Sequence, residues 1–250
     1  MPVTVGLGAA GDYDKIRESI AGVGGRARVV CFAPPGSKPR LEDICTVVEG
    51  DDPGKALVSA LMAGTIDAAV RGTLPASSTL AALKQASGVA DLVRIALLET
   101  AGGRLFFLAP VGVDEGWTIS QKIDLVECGR ELARKFGLSE RVSVLSGGRY
   151  GDLGRHPAVD RTLADAELVA RLTGADHAEI LIEDAIRDAG LIVAPDGITG
   201  NLIFRTLTFL GGGVGHGAPV VNIDKIFVDT SRASPNYAKA ILLAESLSKG

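Results

Sequence analysis

Short apolar runs alternate along this sequence with longer stretches of helical periodicity, and this alternation constrains the fold more than any other feature. The run at 191–194 is typical, because it is rich in branched residues and is ended by Pro195 and Gly197. Apolar residues recur with a helical period at 119–136 and at 157–172. The pattern predicts an α/β fold with a mainly parallel sheet. The predicted strands are 3–7, 27–33, 45–48, 66–70, 93–98, 105–109, 142–145, 191–194 and 226–229.

Size and charge narrow the classes of protein to consider. The 250 residues, 46% of them hydrophobic and 32 of them glycine, can bury a sizeable core in one domain or two small lobes. The net charge is −4 and no tract is rich in lysine or arginine, so we expect no nucleic-acid partner. No apolar run reaches the roughly 18 residues that span a membrane, and no signal peptide is recognisable. We therefore expect a cytoplasmic protein that does not bind membranes.

The cysteines and histidines do not indicate a metal site. The three cysteines are an odd number without Cys-x-x-Cys spacing, which favours free, buried thiols. The three histidines are scattered, and no pair has helical metal-ligand spacing. His216 alone lies in a glycine run, where it is a candidate acid or base or simply a capping residue. The sequence predicts no bound metal.

Gly6, Gly8 and Gly11 have the G-x-G-x-x-G spacing of a dinucleotide site. Such a site also needs an acidic residue at the end of the second strand, and the run at 27–33 has none there. We therefore favour a tight strand-to-helix turn that requires small residues. A nicotinamide or S-adenosylmethionine site is the alternative.

Two predicted strand ends in the later half of the chain suit an anion. Thr199, Gly200 and Asn201 lie at a predicted helix start, where free N–H groups attract negative charge. Ser146 and Arg149 lie in a glycine-rich loop whose backbone and guanidinium groups suit phosphate. The alternative for the residues at 199–201 is a loose surface loop. The alternative for the loop that carries Ser146 and Arg149 is a mobile linker.

Two further strand ends carry arginine. Arg71 lies just beyond the run at 66–70, where ligands of open α/β sheets bind, although a solvated arginine fits equally well. Ser231 and Arg232 precede a helix that we expect to begin at Ser234 and Pro235, whose N-terminus adds positive charge to an anion site. Their alternative role is to form a turn and a cap.

Several of these residues carry a resemblance to a known family. Pro195, Asp196, Gly200, Asn201 and Arg205 match the P-D-x-x-x-G-N-x-x-x-K pattern of the phosphate acetyl- and butyryltransferases. The pair at 231–232 resembles the Ser-Arg pair of their active site, and the segment at 142–146 resembles their strand ending in Leu-Ser. With its shorter N-terminal half, the chain most closely resembles the archaeal methanogenesis marker protein 4, or MtxX, proteins, which are labelled methyltransferases.

The resemblance implies two α/β lobes of the isopropylmalate dehydrogenase-like, phosphotransacetylase-like fold, with the ligand in the cleft between them. We place the larger lobe at 1–155 plus 226–250 and the smaller at 156–225. Coenzyme A or another phosphate-bearing small molecule is the implied ligand, and a homodimer the implied assembly. The implied catalytic residues are Ser231 and Arg232. The implied substrate-binding residues are Arg71, Ser146, Arg149, Asp196, Thr199, Gly200 and Asn201.

The sequence departs from the family at one position that matters for catalysis. The family keeps a carboxylate shortly after its Ser-Arg pair to accept a thiol proton, and here no acid occurs between Arg232 and Glu245. Tyr237 or Ala238 stands nearest the missing group, so we expect weak phosphotransacetylase activity. Three hypotheses follow: a transferase for a phosphate-bearing or acyl small molecule, a methyltransferase-associated protein of methanogenesis, and a non-catalytic ligand-binding or sensor protein.

Overall fold

The computed structural model describes residues 2–249, which form strands and helices in alternation. The strands are β1 Thr4–Gly8, β2 Arg28–Ala33, β3 Thr46–Glu49, β4 Ala68–Val70, β5 Ala96–Glu99, β6 Leu105–Ala109, β7 Val142–Val144, β8 Asp176–His177, β9 Leu191–Val193, β10 Val214–Pro219 and β11 Ile226–Asp229. The α-helices are α1 Tyr13–Ala21, α2 Pro53–Met62, α3 Ala76–Ser87, α4 Ile119–Lys135, α5 Pro157–Thr173, α6 Ile182–Ala185, α7 Gly197–Phe209 and α8 Ala238–Leu247.

The chain forms two compact units. The first comprises the chain up to Leu92 together with the chain from His216 onward, and the second is Val93–Gly215. These limits differ from the expected boundaries near 155 and 226. The reason is that β6 and β7 both pair with β9, a strand much later in the chain, so they lie in the second unit with it.

The first unit is built on parallel strands. β1 pairs in parallel with β2 and β4, β4 pairs in parallel with β11, and the end of β10 pairs antiparallel to β11. Phe32, Leu57, Leu61 and Phe227 belong to the core beside this sheet and are almost completely buried. Because β1, β4 and β11 run in the same direction, the segments that follow Gly8, Val70 and Asp229 emerge at one edge.

The second unit has the strand order β5-β6-β9-β7-β8, in which only the β5–β6 pair is antiparallel. Phe106, Leu145 and Ile192 lie in its core. The predicted helix at 119–136 is confirmed as α4, which buries Leu125, Val126 and Leu132. The carboxyl ends of β7 and β9 are neighbours, and both lead into polar loops. The prediction of a mainly parallel α/β fold is therefore confirmed.

Two predicted helix starts need correction. α7 begins at Gly197 rather than at 199–201, because the Asp196 side chain accepts a hydrogen bond from the Thr199 N–H group and caps the helix. α8 begins at Ala238 rather than at Ser234 and Pro235, so Arg232 lies well before the helix N-terminus. The glycine run leads into strand β10, which was not among the predicted strands.

No helix within residues 2–249 combines the length and the apolar character needed to cross a membrane. The three cysteines are free thiols, and Cys31 is buried, while Cys45 and Cys128 are partly buried. The thiols of Cys31 and Cys45 lie 3.4 Å apart.

Close packing explains two glycines of the G-x-G-x-x-G motif. A Cβ atom on Gly8 would overlap the carbonyl oxygen of Arg71 and the side chain of Leu74. A Cβ atom on Gly6 would lie 2.6 Å from Leu57 Cδ1 and 2.5 Å from Ile66 Cδ1. These contacts agree with our interpretation of the motif as a turn that requires small residues.

We predict that Gly8→Ala destabilises the protein by about 1 to 3 kcal/mol, the usual cost of overpacking. The matched control is Gly50→Ala, because a Cβ atom on Gly50 meets no atom within 4 Å. Urea denaturation of both variants measures the difference. Equal stability of the two variants would show that β1 does not pack as described.

Candidate functional site

A cavity of about 330 Å³ opens in the second unit where β7 and β9 end. Three of the predicted substrate-binding residues, Ser146, Asp196 and Thr199, line this cavity together. Most of the remaining wall is apolar. The residues of this remaining wall are Leu145, Gly147, Ala158, Val159, Thr162, Ile180, Ile182, Pro195 and Ile203.

The beginning of α7 shapes one side of the cavity. The Asp196 carboxylate accepts hydrogen bonds from the Thr199 N–H group at 2.8 Å and from the Thr199 hydroxyl at 3.0 Å. A Cβ atom on Gly200 would overlap the carbonyl oxygen of Pro110, and Asn201 donates its side-chain amide to Val111 O at 3.0 Å. Close packing and hydrogen bonding thus account for Gly200 and Asn201, neither of which lines the cavity.

A buried carboxylate that the sequence analysis missed holds the loop that receives Asn201. Glu115 accepts hydrogen bonds from Gly112 N at 2.9 Å and from Arg94 Nε at 2.6 Å. Burial raises the pKa of Glu115, although the Arg94 guanidinium and the backbone N–H groups oppose the rise. An isolated glutamate in a loop has no sequence signal that reveals this role.

Ser146 is joined to a chain of polar side chains that the sequence analysis also missed. Its hydroxyl lies 2.9 Å from His177 Nε2 and 2.9 Å from Gly148 O. His177 Nδ1 lies 3.1 Å from Glu167 Oε2 and 3.0 Å from the Tyr150 hydroxyl. The Tyr150 hydroxyl lies 2.7 Å from the same Glu167 oxygen. The parallel pairing of Val144 with His177 brings the histidine beside the strand end that carries Ser146.

This chain runs from the interior of the unit to its surface. Ser146 is 1% exposed, the His177 side chain is 4% exposed and the Glu167 side chain is 58% exposed. The hydrogen bonds from Tyr150 and His177 lower the pKa of Glu167. The bond to Glu167 also raises the pKa of Tyr150, so the phenol keeps its proton.

Arg149, another predicted substrate-binding residue, does not line the cavity. It is exposed, and its backbone N–H group donates to Asp152 Oδ2 at 2.9 Å. The structure therefore gives Arg149 a place in the turn after Ser146, while its guanidinium group lies at the surface.

Arg71, in the first unit, is buried rather than solvated. Its side chain is 5% exposed and forms an ion pair with Asp229. It also donates to Leu74 O at 2.6 Å and to Thr230 O. The guanidinium group therefore fastens the end of β4 to the end of β11.

Ser231 and Arg232 follow β11 in the first unit. The Ser231 hydroxyl accepts a hydrogen bond from Ala233 N at 3.2 Å, and the Arg232 side chain is exposed. Lys15 donates to the carbonyl oxygen of Arg232 at 3.0 Å and pairs with Asp12 at 2.9 Å. Lys15 thus ties the loop after β11 to α1.

Tyr237, one of the two positions nearest the missing acid, is buried in the first unit. Its backbone N–H group donates to the Ser19 hydroxyl at 2.8 Å, and Lys15 Nζ lies 5.5 Å from the centre of its ring. Burial raises the pKa of Tyr237, and Lys15 partly offsets that rise. The structure places a protonated phenol, not a carboxylate, at this position.

The chain is similar over most of its length to three archaeal proteins. It is 52% identical over 232 residues to "Putative methyltransferase mtx subunit X" of Methanosarcina barkeri, covering 90% of this chain and 84% of the relative. It is 53% identical over 234 residues to the protein of the same name in Methanosarcina acetivorans, covering 89% and 84%. An uncharacterized methyltransferase of Methanopyrus kandleri is 42% identical over 215 residues, covering 81% and 83%. No model of a known protein family matches the chain.

Two solved structures share the fold at low sequence identity. A branched-chain phosphotransacylase from Enterococcus faecalis V583 matches with a TM-score of 0.75 and 18% identity, covering 98% of this chain and 99% of that one. A phosphotransacetylase from Streptococcus pyogenes matches with a TM-score of 0.71 and 16% identity, covering 100% and 95%. The expected phosphotransacetylase-like fold is confirmed.

We predict that Arg71→Met destabilises the protein by about 3 to 5 kcal/mol, because it removes the cation that faces the nearly buried Asp229 carboxylate. Arg17→Met is the control, since Arg17 pairs with Asp43 at the surface and should contribute much less. Guanidinium denaturation of the two variants compares them. If both lose the same stability, Arg71 does not hold the two strand ends together.

Proposed function

The chain belongs to the family of the Methanosarcina proteins named "Putative methyltransferase mtx subunit X", and from this premise we propose that it is a transferase acting on an acyl or phosphate-bearing small molecule. The fold that it shares with phosphotransacylases supports this proposal. The observation that most supports the proposed transferase function is the cavity of the second unit.

The cavity suits a short acyl chain with a polar end. Val159, Ile180, Ile182 and Ile203 provide apolar surface, and each methylene group buried there contributes about 0.8 kcal/mol. Ser146 supplies a hydroxyl at the same wall. The N-terminal ends of α5 and α7 border the cavity. The Asp196 carboxylate already occupies the start of α7, so the start of α5 is the helix end that remains for a negative charge such as that of an acyl phosphate.

In the first unit, we propose that Ser231 and Arg232 hold a phosphate group. The Arg232 side chain is exposed, and its backbone is fixed by Lys15. A guanidinium group presents two parallel N–H donors to phosphate, an arrangement that a lysine does not provide. The two residues follow β11 at the carboxyl edge of the first unit's sheet, which is the usual location of ligands in such sheets.

The names of the relatives favour a second candidate function, a subunit of a methyltransferase. A protein with that role would bind a methyl donor, a pterin or a corrinoid. Equilibrium dialysis against S-adenosylmethionine, a methylated pterin and methylcobalamin distinguishes the two functions. We expect isobutyryl phosphate to bind and these three compounds not to bind. Binding of isobutyryl phosphate without turnover by any acceptor would instead identify a sensor.

We predict that isobutyryl phosphate binds more tightly than acetyl phosphate, by about fourfold for each additional buried methylene group. Ile203→Trp should remove most of this preference, because the larger side chain fills the cavity. Leu172→Trp is the control, since Leu172 lies on the exposed face of α5. Calorimetric titration of both variants with both ligands measures the preference. A chain-length preference that Ile203→Trp leaves intact would place the acyl group elsewhere.

We also predict that Arg232→Ala weakens phosphate binding about 10- to 150-fold, corresponding to the roughly 1.5 to 3 kcal/mol of a charge-assisted hydrogen bond. Arg232→Lys should recover only part of the affinity, because it restores the charge without the planar fork. Arg28→Ala is the control, since Arg28 is also exposed in the first unit. Titration with inorganic phosphate tests the assignment. An affinity equal to that of the unmodified protein would refute it.

A further inference from the structure

The polar chain that ends at Ser146 has the connectivity of an activated nucleophile. A serine becomes nucleophilic when a base accepts its proton and a third group orients that base. Here the hydroxyl lies 2.9 Å from His177 Nε2, and His177 Nδ1 lies 3.1 Å from Glu167 Oε2. Both distances are within hydrogen-bond range, and the serine and histidine are almost completely buried.

The Glu167 carboxylate indicates that Nδ1 of His177 carries a proton. An ionised carboxylate only accepts hydrogen bonds, so the bond to Glu167 requires the proton on His177 Nδ1. The Tyr150 hydroxyl donates to Glu167 and can accept from the same Nδ1–H group. A neutral imidazole then has its Nε2 lone pair facing Ser146 Oγ. This is the tautomer that a general base needs. The single proton of the Ser146 hydroxyl also has Gly148 O as an acceptor at 2.9 Å, and it must turn from this carbonyl to Nε2 before it is transferred.

The cavity provides space for an acyl donor beside Ser146. Ser146 lines the same 330 Å³ space as the apolar residues Val159 and Ile203. The helix α5 begins at its wall, and the N-terminal end of this helix favours the negative charge that develops when a carbonyl is attacked. The start of α7 also lies at the wall, but the Asp196 carboxylate already occupies it.

We propose that Ser146 is a catalytic nucleophile that carries an acyl group as an ester, with His177 as its general base and Glu167 as a positioning residue. This proposal rests on the proposed function for the identity of the acyl donor, an acyl phosphate. The nucleophilic character of Ser146 rests on geometry alone.

The proposed reaction transfers the acyl group first to Ser146 and then to a thiol or water. Ser146 Oγ bonds to the carbonyl carbon, the bond from that carbon to the phosphate oxygen breaks, and His177 transfers the serine proton to the departing phosphate. A thiol or water then attacks the ester carbon. His177 takes the proton of the attacking group and returns it to Ser146 Oγ as the ester bond breaks.

Covalent labelling tests the nucleophile without reference to the natural substrate. The intact protein is incubated with a fluorophosphonate probe and, separately, with p-nitrophenyl butyrate, and the adduct is located by peptide mass spectrometry. We expect one adduct, on Ser146, and none on Ser146→Ala. His177→Ala should lower the labelling rate by about 10² to 10⁴, and added imidazole should restore part of it. Ser139→Ala and Glu183→Gln are controls at exposed positions of the same unit.

Two further experiments distinguish a role of Glu167 in orienting His177, and of Ser146 as the nucleophile, from a role in folding. The ¹⁵N spectrum of the ring nitrogens should show His177 protonated at Nδ1 in the unmodified protein, and Glu167→Gln should remove that preference while circular dichroism stays unchanged. If Ser146→Ala does not fold, Ser146→Cys keeps a nucleophile and should form a thioester with p-nitrophenyl butyrate.

The proposal is overturned by absence of an adduct on Ser146, by labelling that persists in Ser146→Ala, or by a rate that His177→Ala leaves unchanged. Its failure can be told apart from failure of the proposed function. Labelling of Ser146 without binding of acyl phosphates supports the nucleophile and refutes the acyl phosphate substrate. Binding of acyl phosphates without labelling supports that substrate and refutes the nucleophile.

Discussion

The second unit depends on the parallel pairing of β9 with two strands that lie far from it in sequence. Leu191 is opposite Phe107 of β6 and also opposite Val142 of β7. This double pairing puts the loop after β7 beside the loop after β9, so that Ser146 and Asp196 share one cavity. The residues on the strands contribute burial and hydrogen bonds, while the polar residues just beyond them line the cavity. A shift of β9 by one residue would turn Ile192 away from Phe106 and Leu145 to the opposite face of the sheet, and it would move the start of α7 away from Ser146.

Much of this arrangement could be predicted from local pattern. Apolar runs ended by glycine or proline located the strands that matter, and polar residues directly after them identified Ser146, Asp196 and Thr199. The pattern could not show which strands pair, and so the boundary between the two units was misplaced. It also treated Arg71 as a surface or ligand-binding residue, because burial of an arginine depends on a partner, Asp229, that is 158 positions away.

The residues that sequence reasoning missed have a common property. His177 lies in a strand of two residues, and Glu167 lies on the exposed face of a helix, so neither has a spacing that signals function. Their significance arises only from the pairing of β7 with β8, which aligns Val144 with His177. Conversely, Gly200 and Asn201 belong to the most specific motif of the chain, yet they pack the start of α7 against Pro110 and Val111. A motif can therefore record how a site is built as well as what touches a ligand.

Exposure to water increases along the hydrogen-bonded residues Ser146, His177 and Glu167. The serine is sealed in the interior and the carboxylate is wetted at the rim, with a single imidazole between them. Glu167 does not line the cavity, yet it holds the imidazole that faces the buried hydroxyl. A chemical change at this exposed carboxylate would therefore reach Ser146 through one ring while the cavity lining stays as it is.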